Sequence, residues 1–230
     1  MSDLLSYFER GLIPGPEESA EEFYLRAAKA VSLDHPEWKD TPQKFGFKVD
    51  WVPLNYSSKK MRVWEGAVTW ISDDHVPTIQ LHPRFKKGSF LGYQLQDVLA
   101  HEAVHAARVR FNEPQFEEVL AYATAPQAWK RFLGPIFTST WQPVILLLSF
   151  LAGLFKPVIP LFILGLGIGW LVYRQRVFKK CLRKFSLSFV LCLTDKEMRR
   201  FATEPREKIQ AYLEGQNSLR HQLLKSLFKS

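Results

Sequence analysis

The chain is poor in cysteine: Cys181 and Cys192 are its only two, they form no CxxC pair, and neither sits near the histidines. No disulfide framework is implied. The first ten residues, Met1 to Arg10, carry acids and lack a long apolar run, so no cleaved secretory signal is expected and the N-terminal part is assigned to a reducing cytoplasm. Internal repeats and low-complexity stretches are absent as well. Charge is scarce in one place above all, since between Leu133 and Tyr173 the single charged residue is Lys156.

That gap in charge is a membrane signal. One continuous helix over the segment would be about 60 Å long, about twice the hydrocarbon thickness of a bilayer. The segment is therefore expected to fold back at Lys156 and Pro157, giving one span near 136–155 and a second near 158–173. Lys130 and Arg131 precede the first span, and Arg174, Arg176, Lys179, Lys180, Arg183 and Lys184 follow the second. By the positive-inside rule both ends lie in the cytoplasm. The formal charge of +8 is largely this basic run, which reads as a topology anchor touching anionic headgroups. Nucleic acid is not its expected partner.

Elsewhere the periodicity predicts helices over residues 17–31, 92–110 and 114–125, the last two joined by a short turn at Asn112 and Pro114. Val63 to Ile71 and Val76 to Leu81 read as two strands, with Ser72, Asp73 and Asp74 turning between them, and a short strand is expected at Phe45 to Val52. Phe185 to Leu193 is apolar and reads as β-prone or interfacial. Thr194 and Glu197 form a capping box that opens a charged helix, and another helix is expected from Pro205 to Leu213.

The chemistry lies at His101, Glu102, Ala103, Val104 and His105, which spell HExxH within the predicted 92–110 helix. Histidines four apart project from one face of a helix and can share a zinc ion, while Glu102, about 100° around, can reach a water without ligating the metal. A catalytic zinc needs a third protein ligand and an open fourth position. Glu117 and Glu118, just past the turn, are the candidates. His35, His75, His82 and His221 lack ligand spacing and are expected to be structural or exposed.

Glu118, Val119, Leu120, Ala121 and Tyr122 resemble the ExxA pattern of the gluzincin metallopeptidases, in which the glutamate ligates zinc and a small residue lets two helices approach closely. The resemblance covers His101 to Tyr122, about a tenth of the chain. It implies zinc held by His101, His105 and Glu118, with Glu102 as general base and acid in the hydrolysis of a peptide bond. An acid or Asn often follows the alanine in that family, and here Tyr122 stands in its place; the spacing from His105 to Glu118 is also shorter than in the thermolysin-like and aminopeptidase-like groups. Tyr122, Arg108 and Glu117 are candidates for oxyanion stabilisation or ligand support, as are Tyr93, His75 and His82. Val76 to Leu81 is the expected edge strand for extended substrate.

The expected fold is thus α+β: a small zincin-like catalytic domain over 1–132 with a two-helix active-site hairpin and small sheet, a transmembrane helical hairpin over 133–173, and a basic cytoplasmic helical region over 174–230. The expected partners are a protein or peptide substrate near the membrane and the lipid bilayer. The polar residues around HExxH, among them Gln94, Gln96, Asp97 and Arg110, argue against an intramembrane protease. The rival from another class is a non-catalytic membrane scaffold with an accidental HExxH.

Overall fold

The computed structural model describes residues 2–229 apart from 34, 40, 42–44, 63–64, 73–75 and 140, and its helices far outweigh its strands. Helices α1 (Ser2–Glu9) and α2 (Ala20–Lys29) come first. α2 begins where its sequence supplies a cap: Ser19 Oγ accepts the Glu22 N–H at 3.2 Å, and the Glu22 carboxylate accepts the Ser19 N–H at 2.8 Å. The helix expected over 17–31 is trimmed to that start.

Residues 45–52, expected to hold a strand, join no sheet. Phe45, Phe47 and Val49 are buried and alternate with the less buried Gly46, Lys48 and Asp50, but the backbone turns at Gly46 (φ +79°) and Lys48 N–H goes to the Glu9 carbonyl at 2.9 Å. Alternating burial here reflects packing on the core rather than ladder formation.

The main sheet holds β1 (Leu54–Tyr56), β2 (Ala67–Ile71) and β3 (Pro77–Leu81) in the order β1-β3-β2. β1 runs parallel to β3, and β2 runs antiparallel to it with Ala67 opposite Leu81 and Ile71 opposite Pro77. The two expected strands are present over Ala67–Ile71 and Pro77–Leu81, with Val63 and the expected turn residues Asp73 and Asp74 outside the described residues, but their roles are exchanged. β3 is the central strand, with Ile79 and Leu81 fully buried, and β2 is one of the two edges. The cause is β1, too short to stand out in the sequence, which occupies the far side of β3.

A tight hairpin of β4 (Ser89–Phe90) and β5 (Tyr93–Gln94) turns at Leu91 and Gly92, both with positive φ (49° and 78°), as a two-residue turn matching strand twist requires. It takes the first residues of the expected 92–110 helix, so α3 runs Leu95–Ala107. Asn112 then adopts φ +46°, a conformation its short amide side chain tolerates, and Pro114 starts α4 (Pro114–Tyr122), where its missing N–H costs nothing. α5 (Ala128–Leu133) follows.

The apolar segment forms α6 (Gln142–Gly153) and α7 (Val158–Leu182), packed against each other. α6 has 12 residues, about 18 Å, short of the ~30 Å hydrocarbon layer, whereas α7 has 25 residues, about 37 Å. Among the described residues one helix, α7, is therefore long and apolar enough to cross a membrane, where two spans were expected. Pro135 takes a non-helical conformation and α6 begins only at Gln142, with Pro143 in its first turn; hydropathy alone does not register such breaks. Leu154 and Phe155, at the turn between the helices, are 81% and 87% exposed.

α7 does not stop where charge resumes. Arg174, expected as a headgroup anchor, is fully buried, donating to the Gln115 carbonyl at 3.4 Å and to the Pro135 carbonyl. Lys184 likewise donates to the carbonyls of Phe201 and Glu204, at 2.9 and 2.6 Å. Residues 185–193 form a buried helix, α8 (Leu187–Leu191), capped by Ser186 and packed by Phe185, Phe201 and Phe228. A short apolar run does not distinguish helix from strand, and burial among aromatic rings selects helix here. α9 (Asp195–Thr203) opens on the expected capping box, and α10 (Arg206–Glu214) and α11 (Leu219–Lys229) complete the chain. One hydrophobic cluster extends from Leu4 to Leu224.

Glu197 anchors this C-terminal layer. Its carboxylate accepts Arg220 bidentately at 2.7 and 2.9 Å, Tyr212 Oη at 3.1 Å and the Thr194 N–H at 2.9 Å, with His221 Nε2 at 3.2 Å. Burial pushes the carboxyl up, and the hydrogen bonds from His221 and Arg220 outweigh it, leaving the group well below the usual carboxylate range. A carboxyl depressed in the folded state adds stability above its unfolded pKa, about 4.3, and loses it as pH falls toward the folded value. Glu197→Gln is expected to cost about 3–5 kcal/mol at pH 7 by leaving Arg220 buried and unpaired. The wild-type advantage should shrink below about pH 4.3. Urea unfolding at pH 7 and pH 3 checks both; equal stabilities at pH 7 would refute the anchoring role.

Candidate metal centre

α3 and α4 pack against each other, and both carry small buried residues, among them Ala103, Ala107 and Ala121. This brings three side chains together. His101 Nε2 and His105 Nε2 are 3.2 Å apart, His101 Nε2 is 3.5 Å from Glu118 Oε2, and His105 Nε2 is 3.5 Å from Glu118 Oε1. Ligand atoms placed ~2.0–2.2 Å from a tetrahedral zinc ion lie about 3.3–3.5 Å from one another. The separations are of that size, with the two from Glu118 ending on its two carboxylate oxygens; one ligand atom from each residue lies within 4.8 Å of the others, and among the described residues this is the one group of three or more histidine, cysteine and acidic side chains so placed.

The supporting residues fix the orientation. His105 Nδ1 donates to Glu117 Oε1 at 3.1 Å, which directs Nε2 at the ligand group, as oriented metal-binding imidazoles require. Glu117 Oε2 in turn accepts Arg108 Nε at 2.6 Å, and Arg108, nearly fully buried, also donates to the carbonyls of Leu191 and Leu193. The adjacent glutamates thus face different partners: Glu118 the two imidazole Nε2 atoms, Glu117 the back of one ring.

α4 supplies no side-chain cap of its own. Asp195, at the start of α9, caps it instead, accepting the N–H groups of Gln115 and Phe116 at 2.9 and 3.1 Å, while Glu113 accepts the Asp195 N–H at 3.0 Å. Two helix N-termini therefore exchange carboxylates across 80 residues of chain, and the exchange holds the turn that carries Glu117 and Glu118.

Electrostatics separate the members of the site. Burial pushes His101 well below the usual imidazole value, and His105 adds to this. Burial acts the same way on His105, but its hydrogen bond to Glu117 and the charges of Glu118 and Glu102 prevail, raising it to about 10. Burial raises Glu118; Glu117 is lowered because Arg108 and His105 overcome the effect of burial.

Glu102 is buried beside the group without belonging to it, and its Oε2 accepts Thr69 Oγ1 at 2.6 Å. Thr69 lies on β2, an edge strand, 33 residues earlier in the chain; its strand was legible in the sequence, its contact was not. A cleft of about 880 Å³ opens over the trio and is lined by β2 residues including Ala67 and Thr69. Tyr122 packs its ring edge-on against His101, at 4.6 Å between centroids, and burial, then Tyr93 and Glu118, hold its hydroxyl protonated far above neutral pH. His82 accepts the Arg84 N–H and stacks on Phe90, which gives it a structural place, and His221 belongs to the Glu197 network. His75 lies outside the described residues. Compared with family models, with curated proteins and with solved structures, the chain matches none.

Proposed function

We propose that the chain is a membrane-anchored zinc-dependent endopeptidase acting on membrane-proximal protein substrates. The observation that carries the reading is the mutual spacing of 3.2, 3.5 and 3.5 Å among His101, His105 and Glu118, with Glu102 held beside them by Thr69 rather than within them. Three protein ligands fit a catalytic site, because a structural zinc takes four. A zinc ion held there would supply a Lewis acid that polarises a carbonyl oxygen and acidifies water.

The chain's own residues provide the rest. Glu102 takes a proton from the attacking water and passes it to the leaving amine. Tyr122, kept protonated, donates a hydrogen bond toward the charge that develops on the carbonyl oxygen. The free edge of β2 binds the substrate backbone as an added strand and lays it across the cleft. α4 packs directly on α7, so the cleft stands next to the membrane-crossing helix, which favours substrates at the bilayer surface.

The test is metal analysis with a peptidase assay on the full chain in detergent. One zinc per chain is expected, with hydrolysis lost on chelation and restored by added zinc. A chain that binds no zinc, or holds it without cleaving any member of a broad peptide library, would instead support the scaffold.

A further inference from the structure

A second cavity, of about 210 Å³, shares His101 and Glu102 with the cleft but touches neither His105 nor Glu118. Its walls are mixed: Phe85, Phe90, Tyr93 and Val98 supply apolar surface, Asp97, Glu102 and Thr124 supply polar surface, and Lys130 of α5 contributes a cation. Lys130 is only 6% exposed. Lysines beside an apolar surface usually extend the ammonium to water, but this one turns inward. Its Nζ donates to the Gly92 carbonyl at 3.3 Å and lies 4.1 Å from the centre of the Tyr93 ring. No carboxylate among the described residues forms an ion pair with it.

A carbonyl and the face of a ring compensate such a charge only in part; Arg174 spreads a delocalised charge over two carbonyl contacts, whereas the compact Lys130 ammonium has a single carbonyl acceptor. Asp97, the other acid on the cavity wall besides Glu102, stands in the first turn of α3, where the helix dipole stabilises it. The cation is therefore left for a ligand.

We infer that this cavity is a subsite for a carboxylate carried by the substrate close to the bond that is cut, with Lys130 as its counter-ion and the aromatic walls enclosing the carbon chain behind it. The inference rests on the peptidase reading. The carboxylate comes from a Glu or Asp side chain, which suits an endopeptidase, or from the substrate's C-terminus, which would make the enzyme a carboxypeptidase. The contact with Gly92 also pins the turn at Leu91 and Gly92, a purely structural role that the Lys130 variants below separate from ligand binding.

The experiment uses full-length Glu102→Ala protein, loaded with zinc in detergent, and measures peptide binding by fluorescence anisotropy. In the peptides one position at a time is Glu, Gln, Leu or Lys, and each peptide is made with a free and with an amidated C-terminus. At one position Glu is expected to bind about tenfold to a hundredfold tighter than Gln, or else the free C-terminus to exceed the amide by that factor. The two arms identify the source. Adding Lys130→Met should bring the ratio to about one, and Lys130→Glu should reverse it in favour of Lys. Equal binding of every Glu and Gln pair and of every free and amidated pair overturns the inference, whether or not the Lys130 variants fold. A preference that persists in Lys130→Met does the same and leaves Lys130 as a pin. If the preference is present but protein with Glu102 intact cuts none of the bound peptides, the peptidase reading falls and the carboxylate site stands.

Discussion

Glu102→Gln is expected to lower kcat/KM for peptide hydrolysis by about 10²–10⁴ while the protein keeps one zinc per chain. The two halves of the result follow from one arrangement. Glu102 stands outside the His101, His105 and Glu118 group, so its removal leaves the ligand set whole. Its carboxylate accepts a hydrogen bond from Thr69, which the amide oxygen of Gln can also accept, so little distortion is expected. What Gln cannot do is take a proton from water. Unchanged turnover would remove Glu102 from the mechanism, and loss of zinc would make it a ligand instead.

The second large effect separates two neighbours. Glu118→Gln replaces a charged ligand, and zinc should fall below stoichiometric binding at micromolar metal. Glu117→Gln touches only the support of His105, where the expected loss of affinity is about 10–100-fold. Stability should move the other way. Glu117 neutralises Arg108, whose side chain is wholly buried, so losing that carboxylate costs the metal-free protein about 3–5 kcal/mol. Burial raises Glu118 against the attraction of His105, with Glu102 and Glu117 adding repulsion, and the net direction is upward, so its neutralisation should leave the metal-free fold unharmed or stronger. Competition with a chromophoric chelator reads the first property and urea unfolding of metal-free protein reads the second. If Glu117→Gln proves the more metal-poor of the two, the assignment of ligand and support is reversed.

What the sequence revealed of this site is what its chemistry makes local. HExxH places two imidazoles on one helical face through a spacing of four, and Asn112 with Pro114 signals the turn that returns the chain as α4. The remaining parts are joined by contacts between distant segments. Thr69 reaches Glu102 from a strand, Asp195 caps α4 from 80 residues away, and Arg108 is satisfied by carbonyls of Leu191 and Leu193. No periodicity encodes such meetings. Lys130 was legible only as one basic residue before an apolar run, because its inward course depends on the ring of Tyr93 and the turn at Gly92. The apolar segment was legible as composition, but its division was not: averaged hydropathy detects the lack of charge from Leu133 to Tyr173 and misses that α6 is too short to cross a membrane.

The continuity of α7 sets a ruler. The helix runs without interruption from Val158 to Leu182, and at Arg174, where its apolar half ends, it donates to the Gln115 carbonyl in the first turn of α4. In the membrane arrangement proposed above, the catalytic groups stand at a fixed altitude over the lipid. A protein anchored in the same bilayer would then be cut at a set number of residues from where it emerges, and loops too short to climb that far would escape.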